Sequence, residues 1–405
     1  MAEALLELDG VTVRRGMGVV LNNFSLTVKS GECVILYGEN GAGKSTVIET
    51  AARLLPMESG TVRHHGKIVC DGDGRRINPP KPFGLTLQSN CLVQSQTIEQ
   101  RFQDVVSLCG KSFDSKPLLE DYKISNRRND KIAHLSGGQM RKVAVLSGLI
   151  PGMVSAEPRI ILLDEPDSGL DDTSVEMLVS HLHMLRNLGH AIVIASHDKR
   201  LFECATTMHD LSTAQSNRPE NTDTWTVISK DKKYSLLNTK IGWKLNVNTL
   251  VSLQRNWLAA LLVMGTLLSI ADPLTLTDEE IILMGFTLAP AFTMGLIGDS
   301  VFKILAEHRA IDWWRSQHNT VPHSYAESAL SGMIITAIAM QIFLQSVDLR
   351  IIIVGGLITL FTSIAVRFLQ MSTIRLARSN AVFIRLLTPI LILPWGIVVD
   401  YCAAL

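Results

Sequence analysis

Gly38, Glu39, Asn40, Gly41, Ala42, Gly43, Lys44, Ser45 and Thr46 form one unbroken stretch, GENGAGKST. A glycine, four free positions and Gly-Lys-Ser follow in the order that a phosphate-binding loop uses. Glycines at 38, 41 and 43 let the backbone wrap closely, so consecutive N–H groups aim at one anion. Residues 32–37 (ECVILY) read as a buried strand feeding the loop, and 45–54 as the helix leaving it. The helix start adds its partial positive charge. In that setting the Lys44 ammonium reaches the β- and γ-phosphates, and the Ser45 hydroxyl binds Mg²⁺. The alternative is a glycine-rich turn that matches by chance; the flanking strand and helix argue against it.

A second stretch supplies the rest of the chemistry. Residues 160–164 (IILLD) read as an apolar strand ending in Asp164, followed at once by Glu165. A buried strand end would hold the Asp164 carboxylate near the loop, close enough to reach Mg²⁺ through water. Glu165 is then placed to orient or deprotonate an attacking water. Upstream, Leu135-Ser136-Gly137-Gly138-Gln139 is a short polar run leading into a helix over 140–146, a further anion-binding helix start.

These three motifs in this order resemble an ATP-binding-cassette (ABC) ATPase over about residues 1–210. The resemblance implies an active ATP hydrolase with ATP and Mg²⁺ as cofactors. Gln88, in LTLQSN, matches the glutamine that senses the γ-phosphate through Mg²⁺ and touches the membrane partner. Ser168-Gly169-Leu170-Asp171 matches the loop crossing between two ATPase domains, and His197 the histidine that contacts the γ-phosphate. Glu165, His197 and Gln88 are thus the catalytic set. Ser45, Gln88 and Asp164 hold the metal. Residues 38–46 bind one nucleotide, and Ser136, Gly137, Gly138 and Gln139 complete the site of a partner chain. Two departures bear on nucleotide selectivity. The region 11–16 (VTVRRG) lacks the family's adenine-stacking aromatic, for which an Arg guanidinium could substitute. Ser147 stands where an arginine is common.

Composition sets wider bounds. The 405 residues leave room for two domains. Lys plus Arg and Asp plus Glu are equal at 38 each, so no global charge argues for nucleic acid. The six cysteines are scattered without metal-ligand spacing and read as reduced thiols of a cytosolic domain. MAEALLELDG reads as a first strand and not as a signal peptide. Strands are expected over 5–13 and 24–28 and a hairpin over 62–73. Its adjacent His64 and His65 would point to opposite faces, which argues against a metal site. Helical spacing covers 97–108 and 115–133, a helical subdomain presenting Ser136. A link of no assigned role covers 149–159. A helix is expected over 174–188, capped from 172–174, then a strand over 191–196, a polar loop over 212–223 and a last strand over 225–228.

From about residue 241 the chain changes character. Apolar runs cover 250–271, 281–302, 328–347, 351–368 and 386–399. The first four approach the ~20 residues needed to cross a bilayer, and the last contains Pro389 and Pro394. We read an all-α transmembrane domain of about five spans, or four with the last run re-entrant. Residues 272–280 carry four acids and no Lys or Arg, as expected outside. Residues 303–323 carry Lys303, Arg309 and Arg315, and Arg375, Arg378 and Arg385 also return inside, with Arg350 against the trend. Residues 241–251 read as an interfacial helix. The inner segment 307–315 (EHRAIDWWR) has helical potential; in exporters of this build such a helix docks near the glutamine loop. Its Trp313 and Trp314 read as an interfacial pair, with haem handling the alternative.

The C-terminal half is also similar to the membrane subunit of the cytochrome c maturation system, often called a haem exporter, by the arginines followed by LLTPILILPWGIVV. The expected protein is therefore an α/β P-loop ABC ATPase with a helical subdomain (1–240), followed by the transmembrane domain (241–405). It would be a half-transporter of the plasma (inner) membrane, its ATPase cytoplasmic, working as a homodimer or heterodimer that exports an unknown substrate, haem included. The alternatives are a membrane-anchored mechanochemical ATPase, or an exporter of a lipid, peptide or drug.

Overall fold

The computed structural model describes residues 3–110, 113–211, 215–217, 250–270, 280–306, 309–373 and 394–404. The strand expected over 225–228, nearly all of the interfacial helix, the outer loop before Glu280, Glu307, His308 and Arg375, Arg378 and Arg385 lie outside them. By packing the chain divides into two units: Met1–Ile241 with Leu305–Val321, and Gly242–Ile304 with Pro322–Leu405.

The first unit holds two sheets. Strands β1 (Ala4–Arg15), β2 (Gly18–Lys29), β4 (Ser59–His64) and β5 (Lys67–Asp71) form an antiparallel sheet in the order β2-β1-β4-β5. The second sheet has the order β10-β9-β3-β8-β7-β6, with β3 (Cys33–Tyr37), β6 (Gly84–Thr86), β7 (Ile160–Asp164), β8 (Ala191–Ala195), β9 (Thr207–Asp210) and β10 (Gln215–Asn217). Its strands are parallel except β10. The central sequences CVILY, IILLD and AIVIA are continuous apolar runs because helices cover both faces of a parallel sheet. The strand β10 interrupts the polar loop expected over 212–223.

Helix α1 (Lys44–Ala51) leaves β3. Helix α2 (Ile98–Leu108) starts on a capping box: Thr97 Oγ1 accepts from Gln100 N, and Gln100 Oε1 accepts from Thr97 N. The helix expected over 115–133 is broken into α3 (Lys116–Asp121) and two 3₁₀ turns, Ser125–Arg127 and Ile132–His134. Lys123 turns left-handed at φ 58, and the N–H groups of Ile132 and Ala133 leave for the carbonyls of Gln96 and Gln94. Helix α4 (Gly137–Met153) runs through Pro151 and absorbs the front of the expected link. It lies hard against β6, since a Cβ at Gly84 or Gly148 would collide with Gly148 O or Thr86 Oγ1. Helix α5 (Asp172–Asn187) is capped by Asp171, one residue ahead of the expected caps. Helix α6 (Lys199–Phe202) follows β8.

The second unit contains α7 (Leu250–Ile270), α8 (Glu280–Ile297), α9 (Ser300–Ala306), α11 (Tyr325–Phe343), α12 (Leu349–Thr373) and α13 (Trp395–Ala403), α9 ending just past the unit's edge. Among the described residues four helices are long and apolar enough to cross a membrane, over Leu253–Ile270, Glu280–Ala306, Tyr325–Phe343 and Leu349–Met371. Of the fifth apolar run only Pro394 and α13 are described, and α13 alone is too short to cross. Glycines at the α8, α11 and α12 contacts admit the threonines of the facing helix: Gly295 faces Thr362, Gly332 faces Thr359 and Gly355 faces Thr336. The inner segment forms α10 (Ala310–Gln317), which belongs to the first unit.

Candidate functional site

Parallel pairing sets the site's edge. Leu36 of β3 and Asp164 of β7 both pair with Ala195 of β8, so the three strands end level. The loop after Tyr37, the pair Asp164-Glu165 and the residues after Ala195 therefore leave from one edge of the sheet, where ligands of such sheets bind. Gln88 follows β6 to the same edge.

The loop 38–46 has the backbone its glycines permit: φ is 136° at Gly38, 90° at Gly41 and 102° at Gly43. Gly43 is the N-cap of α1, where a Cβ would also press on Val20 and Leu21. Lys44 is buried, and its ammonium donates to the carbonyls of Gly38 (2.7 Å) and Glu39 (3.0 Å). The cation is thus carried by the loop itself, at the start of a helix whose N–H groups point the same way.

Ser45 Oγ donates to Asp164 Oδ1 at 3.0 Å, and Gln88 Nε2 donates to Glu165 Oε2 at 3.3 Å. Ser45, Asp164, Glu165 and Gln88 therefore form one linked set beside Lys44. Burial raises the Asp164 carboxyl to about 6, with Glu165 and Glu49 adding to the rise and the Ser45 hydrogen bond opposing it. Glu165 holds a left-handed backbone at φ 47°, a cost that persists only where the surroundings impose it. Its N–H donates to Ala195 O at 2.8 Å. His197 is exposed two residues beyond β8, and Ser196 between them donates to Asp167 Oδ1.

Ser136 and Gln139 make a capping box at the start of α4: Ser136 Oγ accepts from Gln139 N, and Gln139 Oε1 accepts from Ser136 N. This part of the expected site is not in the linked set. The pattern Ser-x-x-Gln before an apolar helix is a legible capping signature.

Sequence reasoning missed Arg141. It is buried, and its guanidinium donates to the carbonyls of Leu87 (2.8 Å), Asp164 (2.8 Å) and Glu165 (2.6 Å). It thereby fixes the backbone under Gln88 and Glu165 from α4. Lys142, next to it, pairs with Asp171 at 2.6 Å and holds that carboxyl well below the usual range. The two arginines weighed for adenine stacking are engaged elsewhere, Arg14 with Glu58 and Arg15 with Glu49.

The histidine pair is not a metal site. His64 is buried with Nε2 on Ala51 O, and burial pushes it down to about 3, while His65 sits in the hairpin turn. No group of three or more His, Cys, Asp or Glu among the described residues is placed to hold a metal by itself. A Mg²⁺ held mainly by nucleotide phosphates needs only one or two protein oxygens, and the adjacent oxygens of Ser45 and Asp164 fit that need.

Residues 309–319 belong to the unit that carries this edge. Gln317 exchanges two hydrogen bonds with the Phe83 backbone, and Asn319 bonds Asn78 and Arg76. Trp313 and Trp314 are buried, with Arg101 3.9 Å over the Trp313 ring, so they are neither an interfacial pair nor an open surface for haem.

Residues 21–168 match the family described as ABC transporter. The chain is 30% identical over 202 residues to the Nod factor export ATP-binding protein I of Burkholderia lata, covering 49% of this chain and 64% of that protein. It is 32% identical over 189 residues to the macrolide export ATP-binding/permease protein MacB of Escherichia coli (strain K12), covering 45% of this chain and 28% of that one. It therefore spans less than two thirds of either relative. A solved ATP-binding subunit of an ABC transporter shares 24% identity over 53% of this chain and 90% of its own, with a TM-score of 0.46.

Proposed function

We propose that this chain, whose residues 21–168 form an ABC transporter ATPase domain, is a half-transporter that couples ATP hydrolysis to export across a membrane. Residues 1–240 would be the ATP-binding domain and 241–405 the membrane domain, with 309–319 as the part of the second that packs on the first. The observation that carries the reading is the linked set Ser45, Asp164, Glu165 and Gln88, in a chain with four candidate spans among its described residues.

In this reading the N–H groups of 38–46 and the start of α1 bind the phosphates, and Lys44 turns from the Gly38 and Glu39 carbonyls to the β- and γ-oxygens. Ser45 and Asp164, with Gln88 alongside, would hold a Mg²⁺, which when bound would neutralise phosphate charge. Glu165 accepts the proton of the attacking water, positioned by its bond to Gln88 and by Arg141 beneath its carbonyl. His197 reaches the γ-phosphate from the end of β8. Ser136, Gly137, Gly138 and Gln139 close the site of a second copy or a related chain, so two chains enclose two ATPs. The plasma (inner) membrane, with the ATPase cytoplasmic, is the expected location. Both tryptophans are buried and serve packing, so they lend no support to haem, and the substrate stays open among haem, lipids, peptides and drugs.

The test is Glu165→Gln. Nucleotide binding should persist while hydrolysis falls about a hundredfold or more, the usual size of a general-base effect. Dimer should then accumulate with ATP. Turnover near that of the parent would remove Glu165 as the base. ATP-driven uptake into inverted vesicles separates an exporter from a membrane-anchored ATPase that only releases a bound factor.

A further inference from the structure

Helix α1 begins at the phosphate loop and ends against the inner segment. Arg53, two residues past its last turn, is fully buried and adopts φ 61°. Glycine takes that conformation freely, whereas an arginine there carries strain. Its Nη2 donates to the carbonyls of Arg315 (3.1 Å) and Ser316 (3.0 Å), its Nε to Ser316 O, and its Nη1 to Asn319 Oδ1 (3.1 Å) and Ile77 O. The Arg315 and Ser316 carbonyls belong to the last turn of α10, where a helix leaves carbonyls without an intrahelical partner. Arg53 thus places a full positive charge on the negative end of that helix. Burial lowers its pKa to about 10, with no carboxylate among its hydrogen-bond partners.

The other end of α10 is held by the same helix. Arg309, the N-cap residue of α10, lies with Nη2 3.8 Å from Glu49 Oε1, and Glu49 is also the partner of Arg15. Glu49 lies in the last turn of α1 and Arg53 in the turn that ends it, so this end of α1 reaches α10 at both its start and its finish. A strained, buried arginine held by carbonyls is a poor way to gain stability, since a glycine would fit the backbone without desolvating a charge.

We propose that α1 is a direct mechanical link between the nucleotide and the inner segment. Arg53 is its positioning residue: it makes 309–319 follow the phosphate loop without passing through Gln88. The inference rests on the reading of 38–46 as an ATP site.

The test uses the full chain in detergent with Thr320, which is exposed, replaced by cysteine and labelled with an environment-sensitive fluorophore; the native cysteines are buried or half-buried. A non-hydrolysable ATP analogue with Mg²⁺ is titrated, and its affinity is measured separately by displacement of a fluorescent nucleotide. The parent should bind and respond. Arg53→Gly, which suits φ 61°, should keep nucleotide affinity within about threefold and lose the response by about fivefold or more, the lower range of coupling between sites. Arg53→Lys, which keeps a cation against the carbonyls, should recover part of it. A full response from Arg53→Gly, or a nucleotide-bound parent without response, overturns the link. A parent that does not bind nucleotide overturns the ATP-site reading instead. Should Arg53→Gly fail to fold, Arg53→Lys decides: a parental response at parental affinity refutes the proposal, and a reduced one supports it.

Discussion

Replacing Arg141 by methionine removes a guanidinium from beneath Glu165 and Gln88 while filling most of its volume. Three of its hydrogen bonds, to Leu87, Asp164 and Glu165, measure 2.6–2.8 Å. A bond from a charged donor is worth about 1.5–3 kcal/mol in mutational series. The methionine also relieves the desolvation of a buried cation, which offsets part of that sum, so a net loss of about 3 kcal/mol is expected. At roughly 2–4 °C per kcal/mol for a domain of this size, the ATPase transition should fall by about 6–12 °C. Kinetics give the sharper reading. Glu165 is held in a left-handed conformation with its carbonyl on Arg141, and displacement of a reacting group by about 1 Å costs about a hundredfold. Arg141 donates no hydrogen bond to residues 38–46, so kcat should fall by that order while KM for ATP stays within about threefold. Steady-state hydrolysis and thermal unfolding of the purified full chain measure both. A variant with parental kcat and a midpoint within about 2 °C would refute the role assigned to Arg141.

Further outcomes follow from the same geometry. Ser136→Arg places a bulky cation at the start of α4 and should abolish hydrolysis while the chain still binds ATP; loss of ATP affinity in the monomer would contradict a shared site. Asp164→Asn should raise the unfolding midpoint of the nucleotide-free protein at pH 7. The folded carboxyl titrates at about 6, above its ordinary 3.8, so its ionised form destabilises the fold as pH rises through that window, by on the order of 2–3 kcal/mol; a lower midpoint sinks the argument, and hydrolysis should be lost regardless. A cysteine at Thr320 should resist a membrane-impermeant thiol reagent applied to intact cells and react after permeabilisation, whereas labelling from outside would overturn the topology.

The motifs were legible because their chemistry is local. Nine consecutive residues make the phosphate loop, and five make the strand that presents Asp164. Elements failed where distant hydrogen bonds overruled local spacing. Residues 115–133 carry helical periodicity, but Ile132 and Ala133 donate to Gln96 and Gln94, and the helix cannot continue through them. Asp171 caps α5 although Asp172 and Ser174 are equally suitable by type, because only Asp171 precedes the first helical residue with an extended backbone. Arg53 and Arg141 carried no signal, since a buried arginine serving carbonyls of remote segments looks in sequence like any surface arginine.

The departure at Ser147 is resolved by a residue elsewhere. Arg101 of α2 is buried, its Nε reaches Ser147 Oγ at 3.3 Å, and its guanidinium lies over the Trp313 ring. Burial lowers its pKa to about 10, with Asp104 opposing the fall. A positive group thus occupies the space beside Ser147, but it comes from α2 and its free face seats α10. Arg53 holds the same helix from the turn that ends α1. Helix α10 is therefore gripped from two elements with different duties, one leaving the phosphate loop and one in the helical part that leads to Ser136. Any displacement of α2 relative to α1 must load α10 through both arginines. A mutation of either should change how 309–319 responds to nucleotide without touching a phosphate ligand.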